Sequence, residues 1–252
     1  FETHVDILLI AGGDGTIRKV TEEILDMKLL NKPSLIAVLP LGTANNISKA
    51  LGIEGETKNI IGSWAKQKTR CFDVGRVFNI PDNKFFLESF GYGVFPYLMM
   101  EMKKQDEESF STPETKMDKA LELLHQIILS YEPKQCRLEI DGRDHSGRFL
   151  LAEVMNTPSI GPNLSISPLS NPGDGEFEVV LVPETHKEKF AAYVAGKRKG
   201  QEETLSFHTV KGKDINISWE GTHAHIDDQI VNLKKNAEIS IHNKRGLLDF
   251  LV

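Results

Sequence analysis

Two apolar runs near the start of the chain are each followed by a glycine-containing turn and a helical pattern. Residues 5–10 and 35–39 are continuous apolar runs, which predict buried parallel strands. Apolar residues at helical spacing predict helices over 17–30, 43–51 and 57–67. Strands that alternate with helices indicate an α/β domain.

From Asp73 onward the pattern changes to short alternating segments separated by turn residues. Two helical patterns, near 117–131 and 187–199, interrupt these segments. Strand-like runs rich in β-branched and aromatic residues cover 85–90, 136–140, 149–155, 177–182, 215–219, 225–231 and 237–241. Many short strands with turns between them favour a β-sandwich. We therefore predict an α/β domain over residues 1–72 and a β-sandwich domain over residues 73–242.

Composition narrows the class of protein. The net charge is −6, from 30 Lys and Arg against 36 Asp and Glu, and no arginine-rich stripe interleaved with aromatic residues is present. We therefore expect no nucleic-acid partner. Cys71 and Cys136 are far apart, which predicts two buried thiols in a reducing compartment. No apolar run approaches the ~18–20 residues that span a bilayer, and nothing at the start resembles a signal peptide, so we expect a cytoplasmic protein.

Both strand-to-helix turns are suited to holding a phosphate. The first reads GGDGT over 12–16 and the second PLGTANN over 40–46, with Thr43 or Asn45 able to cap the following helix. Glycine lets the backbone approach an anion closely, and a helix start directs free N–H groups at it. Such turns also occur for packing alone, so either one by itself is a weak signal. The predicted cradle consists of Gly12, Gly13, Gly15, Thr16, Gly42, Thr43, Asn45 and Asn46.

GGDGT followed by P-x-G-T-x-N resembles the catalytic domain of the diacylglycerol kinase and sphingoid-base kinase family, in particular its soluble bacterial lipid kinases. Further segments in the family's order are 72–75, 86–93, Asn156, Pro168 and 174–177. The resemblance implies a Rossmann-like nucleotide-binding domain of the NAD-kinase and lipid-kinase type, followed by a β-sandwich that binds lipid. It also implies phosphorylation of a lipid hydroxyl with ATP and Mg²⁺ as cofactors, on a diacylglycerol-like or related substrate.

The resemblance also concerns the two ends of the chain. Family members carry a further strand and phosphate loop upstream, so we expect the α/β domain to be incomplete at its N-terminus, as a fragment or as a chain that completes its sheet from a partner in a homodimer. In the family the chain end returns to the first domain, and residues 243–252 are expected to pack there.

The resemblance assigns Asp14 a catalytic role, as the base or as an acid linked to Mg²⁺; a helix-capping Asp is the competing interpretation. Two residues depart from the family pattern. Asn46 stands where the family usually has an acid. Gln229, the second catalytic position that the resemblance implies, stands where the family has a glutamate that is thought to reach the nucleotide site. Losing one acid–base group typically costs ~10²–10⁴ in rate, so the alternative function is a non-catalytic relative that binds nucleotide or lipid.

Asp174 lies in a glycine-rich turn where bacterial lipid kinases hold a structural divalent cation, and a turn-stabilising Asp is the alternative. The spacing of His223 and His225 could suit a metal beside Asp227, but strand neighbours are the simpler interpretation.

Two further segments concern lipid. A basic cluster over 187–199 could touch an anionic membrane surface, so peripheral contact with the inner membrane is expected to be weak, and a solvated helix face is the alternative. Met99, Met100 and Met102 would suit a pocket for acyl chains, with ordinary core packing as the alternative.

Overall fold

The structure is a computed structural model that describes residues 6–26, 35–81, 84–105, 110–201, 205 and 207–252. The helices in these ranges are α1 (Asp14–Asp26), α2 (Asn46–Ala50), α3 (Thr57–Trp64), α4 (Val94–Lys103), α5 (Pro113–Ser130) and α6 (Lys187–Arg198). The first eight strands are β1 (Ile7–Gly12), β2 (Leu35–Pro40), β3 (Thr69–Phe78), β4 (Lys84–Phe86), β5 (Ser89–Gly93), β6 (Lys134–Ile140), β7 (Arg143–Asp144) and β8 (Gly147–Met155). The other eight are β9 (Ser159–Ile160), β10 (Leu164–Ser165), β11 (Phe177–Pro183), β12 (His208–Gly212), β13 (Asp214–Trp219), β14 (His223–Ile226), β15 (Gln229–Asn232) and β16 (Glu238–Leu251).

The N-terminal part is the α/β unit that the two apolar runs predict. Strands β1 and β2 lie parallel, with Ile7 opposite Leu35 at the start of the register. The end of β16 lies on the other side of β2, also parallel, with Phe250 opposite Ile36. Residues 243–252 therefore lie partly in this sheet. Because parallel strands point the same way, the turns that follow β1 and β2 leave the sheet at one edge.

The larger part is the β-rich domain that alternation predicts, a β-sandwich with the three helices α4, α5 and α6 inserted, one more than the sequence predicted. Strands β13, β6, β8, β5 and β14 are neighbours in one antiparallel run. The aromatic rings of Tyr92 and Trp219 stack in its core, 5.6 Å apart between centroids. Burial of such large rings is a major source of stability in a core.

Two strands link the halves. The antiparallel pair β3 and β16 carries side chains of both hydrophobic cores: Phe72 and Phe250 belong to the N-terminal core, whereas Val77 and Ile241 belong to the other. A division between residues 72 and 73 therefore falls inside a strand, and we keep it as a proposal.

Most predicted helices are found with shifted ends. Helix α1 begins at Asp14, three residues before the apolar pattern, and its predicted continuation over 27–30 lies outside the described residues. Sequence analysis did not predict helix α4, which carries the methionines. The expectation of two buried thiols is correct for Cys136 and wrong for Cys71, which is exposed because it lies at the outer end of β3.

Candidate functional site

The two glycine turns touch each other at the edge of the sheet. A Cβ added to Gly13 would lie 2.8 Å from the Gly42 Cα, and one added to Gly42 would lie 2.5 Å from the Gly13 Cα. The Leu41 N–H donates to the Gly12 carbonyl at 3.0 Å, which ties the second turn to the first. Glycine is therefore required here for close approach of two backbones.

Asp14 joins these turns through the start of helix α2. Its carboxylate accepts hydrogen bonds from the backbone N–H groups of Asn46 and Ile47, both at 3.0 Å. Sequence analysis predicted a cap from Thr43 or Asn45, and that prediction is wrong. The Asn45 side chain instead closes its own turn with two bonds to the Gly42 backbone, so a residue 32 positions earlier caps the helix. Burial raises the pKa of the Asp14 carboxyl, and the two N–H donors oppose that rise.

Asn46 connects the second turn to the β-sandwich. Its side-chain Nδ2 donates to Glu88 Oε2 at 2.8 Å, and Glu88 lies between β4 and β5. Asn46 is only 4% exposed, and among the described residues its Oδ1 has no hydrogen-bond partner. Burial raises the pKa of Glu88 well above its usual range, and the charges of Asp14 and Asp227 raise it further. Sequence analysis missed Glu88 because no motif spacing links it to either glycine turn.

A third carboxylate, Asp227, fixes the segment that carries Glu88. It accepts hydrogen bonds from the backbone N–H groups of residues 87–89 at 2.8–3.1 Å. The Arg18 Nε lies 3.2 Å from Asp227 Oδ2, and both side chains are almost fully buried. Burial raises the pKa of Asp227 to about 6, although Arg18 opposes the rise. Arg18 was also missed; its position one turn into α1, after the glycine turn, is the signal that could have found it.

These groups line a cavity of about 570 Å³ between the α/β unit and the β-sandwich. Its polar wall includes four acids, namely Asp14, Glu88, Asp227 and Asp228. Its apolar wall comes from α4, α5, the end of β9 and the residues that follow it: Phe95, Leu98, Met99, Met102, Met117, Ala120, Ile160 and Pro162. One side of the cavity therefore suits phosphates with a cation, and the other suits a hydrocarbon chain.

The predicted site residues are distributed unevenly around this cavity. Gly13, Gly15, Thr43 and Asn46 line it together with Asp14. The remaining cradle residues, which are Gly12, Thr16, Gly42 and Asn45, belong to the turns behind this lining.

Gln229 is not among the described residues that line the cavity, but its neighbour Asp228 is. Gln229 is the first residue of β15 and is opposite Ile226, whereas Asp228 Oδ2 lies 3.3 Å from where a Cβ of Gly15 would be. The catalytic role for Gln229 stays a prediction, and Asp228 is the acid that the hairpin brings to the glycine turn.

Asp174 lies outside the cavity. Its carboxylate contacts Lys211 Nζ at 2.9 Å and accepts the Glu176 N–H at 3.0 Å. The same ammonium lies 3.1 Å from the buried Glu178, so a lysine provides positive charge between two acids. The divalent-cation role of Asp174 stays a prediction. Within the described ranges, no group of three or more His, Cys, Asp or Glu side chains is arranged to hold a metal ion.

His223 and His225 contact different residues. His225 is buried and lines the cavity; its Nε2 lies 2.9 Å from Glu153 Oε1, and its Nδ1 lies 3.0 Å from the Asp227 carbonyl. Burial lowers the pKa of His225, but Glu153 and Asp227 together raise it more, so the net shift is upward. His223 instead contacts Asn232 on the neighbouring strand at 2.9 Å. The neighbour interpretation therefore fits the two histidines better than a shared metal.

The residues of the polar wall fit a nucleotide with Mg²⁺. Mg²⁺ in such sites is bound by one or two carboxylates together with phosphate oxygens, so it needs no three-residue protein cage. Gly13 adds backbone without a side chain to the cavity lining, which an anion can approach closely, and Gly42 packs behind it.

Comparison with known proteins gives two family matches. Residues 1–77 match the family model of the diacylglycerol kinase catalytic domain. Residues 107–230 match the model described as the YegS C-terminal NAD kinase beta sandwich-like domain. The two matches fall on the α/β unit and the β-sandwich, respectively.

Similar curated proteins carry the name diacylglycerol kinase. The protein of Bacillus subtilis strain 168 is 26% identical over 203 residues, which cover 78% of this chain and 61% of the relative. The protein of Staphylococcus epidermidis strain RP62A is 26% identical over 224 residues, covering 86% of this chain and 65% of the relative. The chain thus spans less than two thirds of the length of these relatives.

A solved structure shares the fold. The crystal structure of a diacylglycerol kinase from Bacillus anthracis strain Sterne has a TM-score of 0.71 and is 21% identical, covering 98% of this chain and 77% of that one. No helix in the described part of the present chain is long and apolar enough to cross a membrane.

Proposed function

Because this chain belongs to the diacylglycerol kinase catalytic-domain family, we propose that it transfers the γ-phosphoryl group of ATP to the hydroxyl of a lipid. The observation that carries the proposal is the position of Asp14. This carboxylate joins both glycine turns and lines a cavity whose opposite wall is apolar. A phosphate donor and a hydrocarbon chain can therefore meet beside one acid.

In this proposal the residues of the polar wall perform distinct tasks. Backbone groups of the two glycine turns, at the cavity-lining residues Gly13, Gly15 and Thr43, bind the phosphates, and Asp14 takes the proton of the attacking hydroxyl. As the new P–O bond forms, the bond to the ADP oxygen breaks and ADP leaves. Bound Mg²⁺ neutralises charge on the phosphate oxygens. The raised pKa of Asp14 makes it a better proton acceptor than an exposed aspartate.

The apolar wall supports a lipid acceptor. Met99, Met102 and Met117 lie on two different helices, and methionine side chains adapt to chains of irregular shape. Lys103 and Lys116 also line the cavity. These residues do not distinguish diacylglycerol from a sphingoid base or phosphatidylglycerol, so all three belong in an assay.

Peripheral membrane contact through α6 is the weaker part of the proposal. Lys187 Nζ donates to the Tyr131 carbonyl at 2.8 Å, and Arg198 pairs with Asp118 at 2.8 Å. Two cations of the basic cluster are thus already used within the chain. Any attraction to anionic lipid should be weak and sensitive to salt. A homodimer likewise remains a proposal.

The alternative is a relative that binds nucleotide or lipid without turnover, and Gln229 in place of an acid favours it. The test is transfer of label from radiolabelled ATP with Mg²⁺ to micelles of the three lipids. We expect labelled lipid from the wild type and little from Asp14→Asn, with folding checked by circular dichroism. Nucleotide binding by calorimetry without labelled lipid would support the alternative.

A further inference from the structure

Asn46 and Glu88 form one hydrogen-bonded unit on the cavity wall. The Asn46 N–H donates to Asp14, its side-chain amide donates to Glu88, and the Glu88 N–H donates to Asp227. The last of these bonds is 2.8 Å long, as is the bond between the two side chains. Both ends of Glu88, the peptide and the carboxylate, are therefore held by groups that also line the cavity.

The unit requires one amide and one acid. When ionised, the Glu88 carboxylate only accepts hydrogen bonds, so its partner must donate, and the Asn46 amide does. A second carboxylate at position 46 would place two negative charges about 3 Å apart, where they cannot both remain ionised. The amide at 46 is thus matched to the acid at 88.

The wall around this unit has more negative than positive charge. Asp14, Asp227 and Asp228 line the same cavity, and the buried Arg18 is paired with Asp227. A second, independent feature is the buried Asn46 Oδ1, which has no hydrogen-bond partner among the described residues. A bound cation would offset the acids and could be reached by an oxygen of this kind.

Building on the proposed function, we propose that Glu88 is a working carboxylate toward the Mg²⁺ of the nucleotide and that Asn46 is its positioning residue. Glu88, from the β-sandwich, then provides the carboxylate that is missing at position 46, where the family usually has an acid. Glu88 couples the two halves of the molecule at the point where the phosphates bind.

The test separates charge from hydrogen bonding. Glu88→Gln keeps the shape and the bond, because a Gln Oε1 accepts from Asn46, but it removes the charge. The double change Asn46→Asp with Glu88→Gln exchanges the acid and the amide, so the pair again has one carboxylate and one amide that can donate to it. The control is Glu139→Gln, since Glu139 accepts from the Asn216 amide at 3.4 Å at an exposed position of β6 outside the cavity.

Two quantities are measured on each protein: the affinity for ADP by calorimetry with and without Mg²⁺, and lipid phosphorylation. We expect Mg²⁺ to strengthen ADP binding by about tenfold or more in the wild type and in Glu139→Gln. In Glu88→Gln this gain should fall below about threefold, and turnover should fall by about 10²-fold, as for loss of one charged catalytic-site group. The double change should recover at least about tenfold of that turnover.

The outcomes distinguish this inference from the proposed function. If Glu88→Gln keeps both the Mg²⁺ gain and the turnover of Glu139→Gln, Glu88 is structural and the inference is wrong. A wild type without any Mg²⁺ gain would also overturn it. If Mg²⁺ strengthens ADP binding in the wild type but no lipid is labelled, the proposed function is refuted. The inference about Glu88 is then still tested by whether Mg²⁺ strengthens ADP binding in Glu88→Gln. Should Glu88→Gln not fold, Glu88→Asp, which retracts the carboxylate by one methylene, takes its place with the same expected loss.

Discussion

The carboxylate of Asp14 should stabilise the fold as well as serve the proposed chemistry. It accepts two backbone N–H bonds at 3.0 Å from the start of α2. Hydrogen bonds to a charged group contribute about 1.5–3 kcal/mol each. Burial raises the pKa of this carboxyl, so desolvation offsets part of that sum. We expect Asp14→Ala to lower the free energy of unfolding by about 2–3 kcal/mol, since two buried N–H groups lose their acceptor.

Asp14→Asn provides the graded comparison. An Asn Oδ1 can accept one of the two N–H bonds, so we expect a loss of about 1 kcal/mol. Urea denaturation followed by circular dichroism at pH 7.5 measures all three proteins, and the slope of the transition should not change. If Asp14→Ala were within about 0.5 kcal/mol of the wild type, Asp14 would not couple the two turns, and our account of the site geometry would fail.

Three further predictions concern pH, the glycine contact and the lysine bridge. Burial raises the pKa of Asp227 from 3.8 to about 6. Between these two pH values the folded protein keeps the proton on Asp227, whereas the unfolded chain loses it. The free energy of unfolding should therefore fall by roughly 3 kcal/mol as the pH rises from about 4 to 6. Urea denaturation in EDTA should show this fall in the wild type, and an equal fall in Asp227→Asn would contradict the assignment. Gly42→Ala should weaken ADP binding by about tenfold or more, because the new Cβ would meet the Gly13 turn. Its control is Gly62→Ala, which has open space and should add about 0.5–1 kcal/mol of stability. Equal calorimetric affinities of the two variants for ADP would count against a role for the contact between the two turns. Lys211→Gln should destabilise by about 1–3 kcal/mol in thermal denaturation, because Glu178 stays buried without its cation, and an unchanged melting temperature would show that the bridge is dispensable.

The hydrophobic pattern and the turn residues predicted the helices, strands and turns whose formation depends on neighbouring residues. The turn sequences at 12–16 and 40–46 lie directly after apolar strands, and both lie where the parallel sheet ends. The helical period over 117–131 likewise predicted α5, with small shifts at each end. Such elements depend on residues that are neighbours in the sequence.

Contacts between distant residues could not be predicted from pattern. The cap of α2 comes from Asp14 and not from Asn45, because the Asn45 side chain is used within its own turn. Glu88 reaches Asn46 across 42 positions, and no spacing rule connects them.

In the hairpin between β14 and β15, a difference of one position along the chain decides which side chain lines the cavity. The two-residue turn of this hairpin, with Asp227 in the left-handed region at φ 49°, places the Asp228 carboxylate near Gly15 of the glycine turn, whereas Asp227 bonds to the backbone of residues 87–89. Gln229 is already the first strand residue. Both amides that departed from the family pattern, Asn46 and Gln229, therefore have an acid beside them in Glu88 and Asp228.

This pairing of amides and acids changes the expected effect of restoring an acid at position 46. From the sequence, Asn46→Asp would be expected to raise activity. In the structure the new carboxylate would face Glu88 at about 3 Å, so we now expect Asn46→Asp alone to lower stability and activity.

The central claim is phosphoryl transfer to a lipid at the cavity beside Asp14, and a single-turnover experiment tests it most directly. Protein in excess over radiolabelled ATP, with Mg²⁺ and diacylglycerol, sphingoid-base or phosphatidylglycerol micelles, is quenched over time and the lipid is extracted. We predict that label passes to one of the lipids in the wild type and at least about 10²-fold more slowly in Asp14→Asn. Label that moves only to inorganic phosphate, or that reaches lipid equally fast in Asp14→Asn, would contradict the account.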